Sequence, residues 1–135
     1  MEKIYNVGLD LYKPEVVRAD LSGRAVQFAA RDENVYSIFL SLTIQGEVRG
    51  SQEPYTIEAG TDVIINIKPA NAIFAEEVAG TIVDAQAGLV KVSFATGFEV
   101  LGEYTATVYL KKGSNSLTWG QRFVFNVAAG VAATV

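Results

Sequence analysis

Few side chains in this 135-residue sequence could do chemistry, because it contains neither cysteine nor histidine. Without them there is no Ser-His-Asp or Cys-His nucleophile, no disulfide framework and no common zinc site. Carboxylates, lysines and hydroxyls are what remains. Asp32-Glu33-Asn34 groups oxygen ligands of the kind that a calcium ion draws from loops, about six to eight at a time. The same residue types make ordinary turns through side-chain-to-backbone hydrogen bonds, and the cluster fits that reading better. Glu76-Glu77 brings two carboxylates together, but neighbours on a strand point to opposite faces, whereas a glycosidase holds its two acids at a set separation across a sugar. A solvated face accounts for the pair. Gly46, Gly50 and Gly60 are too dispersed for a phosphate-binding loop, and no GxxxxGK motif occurs. The expectation is a chain with no catalytic, cofactor-binding or metal-binding residues, and not an enzyme.

The aromatic residues offer a different chemistry, that of contact. Trp119 and Tyr109 could stack on a sugar ring. Trp119 shares the parity of Phe123 and Phe125, which places it in the core if its strand is regular, whereas a bulge at Gly120 would turn it toward an interface or a ligand. Tyr12, Phe39 and Tyr109, with Val124, fall on the nominally outer faces of their strands. Large apolar residues on second faces suggest that both sides of a sheet are partly covered, as in subunit contacts. Tyr12, Phe39, Tyr109 and Trp119 are therefore the candidate interface or ligand aromatics. Tyr104, in Gly102-Glu103-Tyr104, has the setting of a tyrosine corner, a structural hydrogen bond from a Tyr near a strand start to upstream backbone; a plain core aromatic is the equal alternative.

These residues depend on the strands that carry them. Leu101 to Val127 reads as a long antiparallel hairpin turning at Lys112-Gly113-Ser114-Asn115, with Tyr104, Ala106, Val108 and Leu110 on the dry face of one arm. Leu117, Trp119, Phe123, Phe125 and Val127 share the apolar parity of the other. A lone hairpin is marginal in water, so other strands must pack on it. Ile4 to Tyr12, Ala25 to Arg31 and Tyr36 to Ile44 alternate in the same way, as does Asp62 to Lys68. A short strand is expected at Tyr55 to Ala59, after an exposed loop from Gln45 to Pro54. A second hairpin joins Thr81–Asp84 to Gly88–Phe94 across Ala85-Gln86-Ala87. Ala70 to Ala79 is the one stretch where a helical turn fits. The sum is an all-β fold, an antiparallel immunoglobulin-like β-sandwich of about eight or nine strands. Residues 1–127 form the single domain, and 128–135 an apolar tail that frays, links or docks.

Composition narrows the partners. Half the residues are hydrophobic and 19% are charged, as in a globular domain. The net charge of −4 with scattered basic residues argues against nucleic acid. No run approaches the roughly 20 apolar residues that span a bilayer, and the N-terminus has no signal-peptide pattern, so synthesis in a cytoplasm and no membrane partner are expected.

Several stretches together resemble a known family. They are Val26-Gln27-Phe28 followed by Asp32, the apolar strand Ile38 to Ile44, Val63 to Ile67, and Gly88-Leu89-Val90-Lys91-Val92. Gly102-x-Tyr104-x-Ala106-x-Val108-x-Leu110 and the closing Phe123-Val124-Phe125-Asn126-Val127 complete the pattern, which covers roughly Ala25 to Val127. It resembles the N-terminal domain of the upper baseplate proteins of tailed phages that infect Gram-positive bacteria, a β-sandwich that fixes receptor-binding appendages to the tail baseplate. Two features depart from it: the leading strand Ile4 to Tyr12 falls outside the pattern, and family members usually continue into a linker, a coiled coil or a carbohydrate-binding head. The resemblance implies a virion protein made in the host cytoplasm, an anchoring or adaptor domain of a tail, baseplate or capsid. Its partners would be other virion proteins, with a homo-oligomer, trimer or larger, and no cofactor. The N-terminal strand or the C-terminal tail could add to a neighbour's sheet edge. The rival reading is a carbohydrate-binding module for host-surface glycans, resting on Trp119, Tyr109 and the loop Gln45 to Pro54.

Overall fold

A computed structural model describes residues 3–33, 35–45, 52–70, 72–94, 97–98 and 100–129. They form eleven strands: β1 Lys3–Asp10, β2 Val16–Val17, β3 Gln27–Ala29, β4 Tyr36–Gln45, β5 Gln52–Pro54, β6 Asp62–Pro69, β7 Glu76–Asp84, β8 Leu89–Phe94, β9 Gly102–Lys112, β10 Asn115–Thr118 and β11 Arg122–Ala128. No helix forms among the described residues. The alternating apolar positions do what their period dictates. Val7 and Leu9, Ile38 to Leu42, Val63 to Ile67, Val90 to Phe94 and Tyr104 to Leu110 each send every second side chain into one shared core.

The all-β class stands, with eleven strands where eight or nine were expected, joined in a single nearly barrel-shaped sheet whose main path runs β1-β4-β8-β7-β6-β9-β11-β2. β7 is the reason. It pairs with β6 from Glu76 to Gly80 and with β8 only from Thr81 to Asp84. The change of partner between Gly80 and Thr81 carries the sheet from β6 to β8 along one strand, and a register shift follows between Ile82 and Asp84. Pairing is also not wholly antiparallel: β1 lies parallel to β4, and β2 and β3 lie parallel to β11. Parallel neighbours need a long crossover, and residues 11–35 provide it by visiting β11 on the way from β1 to β4.

That crossover also closes the barrel. Leu21 donates its N–H to the Asn6 carbonyl at 2.7 Å, Arg24 reaches the Ile4 carbonyl at 3.0 Å, and the Tyr5 hydroxyl bonds the Gln27 carbonyl at 3.0 Å. Part of the free edge of β1 is thus occupied by its own chain.

Other boundaries shift for identifiable reasons. The expected strand at Tyr55–Ala59 lies earlier, as β5, which pairs with Thr43 to Gln45; Tyr55 and Ile57 continue as extended chain bonded to the Leu42 and Ala85 carbonyls. The helical turn expected in Ala70–Ala79 is absent among the described residues, and Glu76 onward is strand. Of the expected exposed loop, 46–51 lies outside the described residues. The tail expected at 128–135 begins within β11, which ends at Ala128, and 130–135 also lie outside them.

The long hairpin forms, turning at Gly113, whose φ of 59° is the left-handed value such turns require. Its second arm is broken. Thr118 pairs with Tyr109, whereas Phe123 pairs with Ala106, so four residues of one arm face two of the other. Two extra residues preserve a period of two. For that reason Trp119, Phe123, Phe125 and Val127 all remain on the core side despite the break at Gly120. At Gly120 itself, a Cβ would fall on the Leu11 carbonyl oxygen, while its N–H donates to that oxygen at 2.9 Å. The exit of β1 and the entry to β11 meet there backbone to backbone, which only glycine allows.

Candidate protein interface

Phe28 is the centre of an aromatic cluster at one end of the barrel. Its ring stacks on Tyr36 at 4.2 Å and lies within 6 Å of Phe94, Phe98 and Phe125. Phe98, half-buried, is the cluster's outward rim. Around it the same end stays open to solvent: Ile73 is 86% exposed, Phe74 82%, Leu101 54% and Val100 46%. Phe74 and Val100 share a groove of about 440 Å³ whose base includes Ile67, Phe98 and Tyr104. An adjoining groove of about 550 Å³ runs between β7 and the end of β8, with Phe94 and Phe98 at its base and Glu76 and Glu77 beside it. Burying one such Ile or Phe side chain is worth about 1.5–3 kcal/mol, so exposed neighbours of this size mark a contact surface.

The loop that carries Ile73 and Phe74 is held by backbone, with the Ala70 N–H donating to the Glu103 carbonyl at 2.9 Å. Across from it, Tyr104 fixes the segment leading into β9. Its hydroxyl donates to the Val100 carbonyl at 2.8 Å while its ring stacks on Phe125 at 5.1 Å. Tyr104 is therefore both a tyrosine corner and a core aromatic. Gly102, at a φ of 110°, turns the chain between the two ends of that hydrogen bond.

The four aromatics expected at a site are not brought together. Tyr12, 74% exposed, stands just past β1. Phe39 lies half-buried on the outer face of β4, with the Lys91 ammonium 5.7 Å from its ring centre. Tyr109 lies on the outer face of β9 beside an open groove of about 380 Å³ that Thr107, Asn66, Lys68 and Arg122 also line. Trp119 is 1% exposed, its ring edge-on to Tyr55 at 5.0 Å and its Nε1 donating to the Leu9 carbonyl at 3.0 Å. An indole so placed offers no face to a ligand, and the bulge at Gly120 does not turn it out. Val124, on the nominally outer parity, is buried too. Ile73 and Phe74 were not singled out by periodicity. The available signal was two adjacent large apolar residues, just after Pro69, that no strand pattern could use.

The ionisable groups act on structure. Asp20 is buried and accepts from the Ser22 hydroxyl at 2.7 Å, from the Ser22 and Arg24 backbone at 3.0 Å each, and from the Arg24 guanidinium at 2.9 Å. Ser22 first, and then Arg24, hold its carboxyl far below the usual range. Burial, and then the bond to Asp32 at 2.6 Å, raises the Tyr36 phenol. Asp32 thus serves the Tyr36 hydroxyl, and Asn34 of that cluster lies outside the described residues. Glu76 and Glu77 pair across to Ile67 and Asn66 on successive positions of β7 and so diverge. Among the described residues no group of three or more acidic side chains could hold a metal ion.

No curated protein matches the chain. The model of the BppU N-terminal domain, from the phage baseplate upper protein, matches residues 3–134. That span includes the leading strand, which the residue pattern had left outside. Over this match, which spans nearly the whole chain, the chain belongs to the BppU N-terminal domain family of phage baseplate proteins.

Proposed function

We propose that this chain is a non-enzymatic anchoring domain that attaches an appendage to the baseplate through protein–protein contacts. The observation that carries the reading is the exposed apolar end, where Phe74 and Val100 share a groove and their neighbours Ile73 and Leu101 are exposed, on a domain whose family is a baseplate one. Its partners are other virion proteins, and a homo-oligomer, trimer or larger, belongs to the same reading. Light scattering of the purified chain, alone and mixed with the other proteins of its baseplate, tests it. A defined oligomer or a stable complex is expected. A chain that stays monomeric and captures no virion protein would overturn it.

One observation favours a second reading, a module for host-surface glycans. The outer groove beside Tyr109 combines an aromatic ring with hydrogen-bonding side chains from Asn66, Thr107 and Arg122. Binding on a glycan array that disappears in Tyr109→Ala would support it, and silence across host wall polysaccharides would remove it.

A further inference from the structure

β7 and β8 form a hairpin that opens as it leaves its turn. They pair from Thr81 to Asp84 and then part company, although the register of Thr81 with Lys91 would set Ala79 opposite Ser93 and Val78 opposite Phe94 if pairing continued. Instead Glu76 to Gly80 pair only with β6, and Val92 to Phe94 only with β4. Two strand edges therefore face each other across a gap, each without a ladder partner on that side among the described residues. The groove of about 550 Å³ lies in this gap.

Backbone left unpaired along an interior seam selects its occupant by geometry. An added strand can satisfy both edges at once, whereas a helix satisfies its own backbone and could satisfy neither. Side chains add two further requirements. The base is apolar, with Phe94 buried and Phe98 half-buried, so residues of the incoming strand that point inward must be apolar and alternate along it. The mouth is acidic, with Glu76 and Glu77 exposed and in no ion pair among the described residues, so a basic residue complements it. The five residues from Glu76 to Gly80 limit the paired length to about one short strand.

We infer that the open seam between β7 and β8 is a strand-addition slot, and that it takes an extended segment of another baseplate protein with alternating apolar residues and a lysine or arginine at the mouth. This rests on the anchoring reading and names the chemistry of its partner. The test is amide hydrogen exchange of the full chain, free and assembled with the purified proteins of its baseplate, beside the affinity of the double variant Glu76→Lys, Glu77→Lys. Both glutamates are exposed on a strand, so the variant keeps the fold. Amides within 76–80 and 92–94 should slow at least tenfold on assembly, and the double variant should bind about tenfold more weakly. Assembly with those amides unprotected, or with the variant's affinity unchanged, would overturn the slot and leave anchoring in place. No assembly at all would overturn both.

Discussion

The indole of Trp119 is hydrogen-bonded to the carbonyl of Leu9, two residues 110 positions apart that together join the first strand of the barrel to the last. Nearby, Gln121 donates its backbone N–H to the Asp10 carbonyl at 3.0 Å and receives the Asp10 N–H on its side chain at 2.7 Å. Three bonds thus fasten β1 to the entry of β11. Trp119→Phe removes one of them and leaves a space in the core. It should cost about 1–3 kcal/mol in urea unfolding followed by circular dichroism, since the variant has no tryptophan to report.

The same closure leaves no room for a methyl group at Gly120. Gly120→Ala drives its Cβ into the Leu11 carbonyl and should destabilise by about 1–3 kcal/mol. At Gly113 a Cβ meets nothing, so Gly113→Ala tests backbone strain alone and should cost about 1 kcal/mol. Equal losses at the two sites would argue against a steric closure.

Tyr104→Phe keeps the ring on Phe125 and deletes the bond to Val100. A loss of about 0.5–1.5 kcal/mol is expected, with faster amide exchange at Leu101 and Gly102 than elsewhere in β9. A uniform change across the strand would mean that the hydroxyl does not fix that segment.

Much of this was legible in the alternation of side chains, because period two reports which face is buried whatever the partner strand. Val63, Ile65 and Ile67, or Tyr104 to Leu110, needed no knowledge of topology. Partner choice carries no such local signal. β2 is two valines that pair with Arg122 and Phe123, more than 100 residues away in the chain, and β5 is Gln52-Glu53-Pro54, exposed throughout and held by backbone. The bulge after Thr118 could be suspected from Gly120, but its size, two residues and not one, decides where Trp119 points. The apolar end was hidden for the opposite reason: Ile73 and Phe74 are adjacent, fit no period, and are left exposed by the other described residues.

Acid should loosen the crossover that closes the barrel. The Asp20 carboxyl titrates far lower folded than the roughly 3.9 of an unfolded chain, so the folded state binds fewer protons in that window. Its contribution is full above the unfolded value and is lost as pH falls through the folded one. Stability measured by urea should therefore fall below about pH 4, and Asp20→Asn should lower stability at pH 7 while flattening that acid slope. An unchanged slope would mean that Asp20 is not its source.

The central claim is that the open apolar end holds the baseplate, and the affinity of the double variant Ile73→Asp, Phe74→Asp for the other proteins of that baseplate tests it most directly. Both side chains are exposed, so circular dichroism and the unfolding midpoint should match the parent chain. Loss of two anchor residues at a contact centre predicts binding weaker by about 100-fold or more. Undiminished binding by a folded variant would contradict the account and move the contact to another face of the barrel.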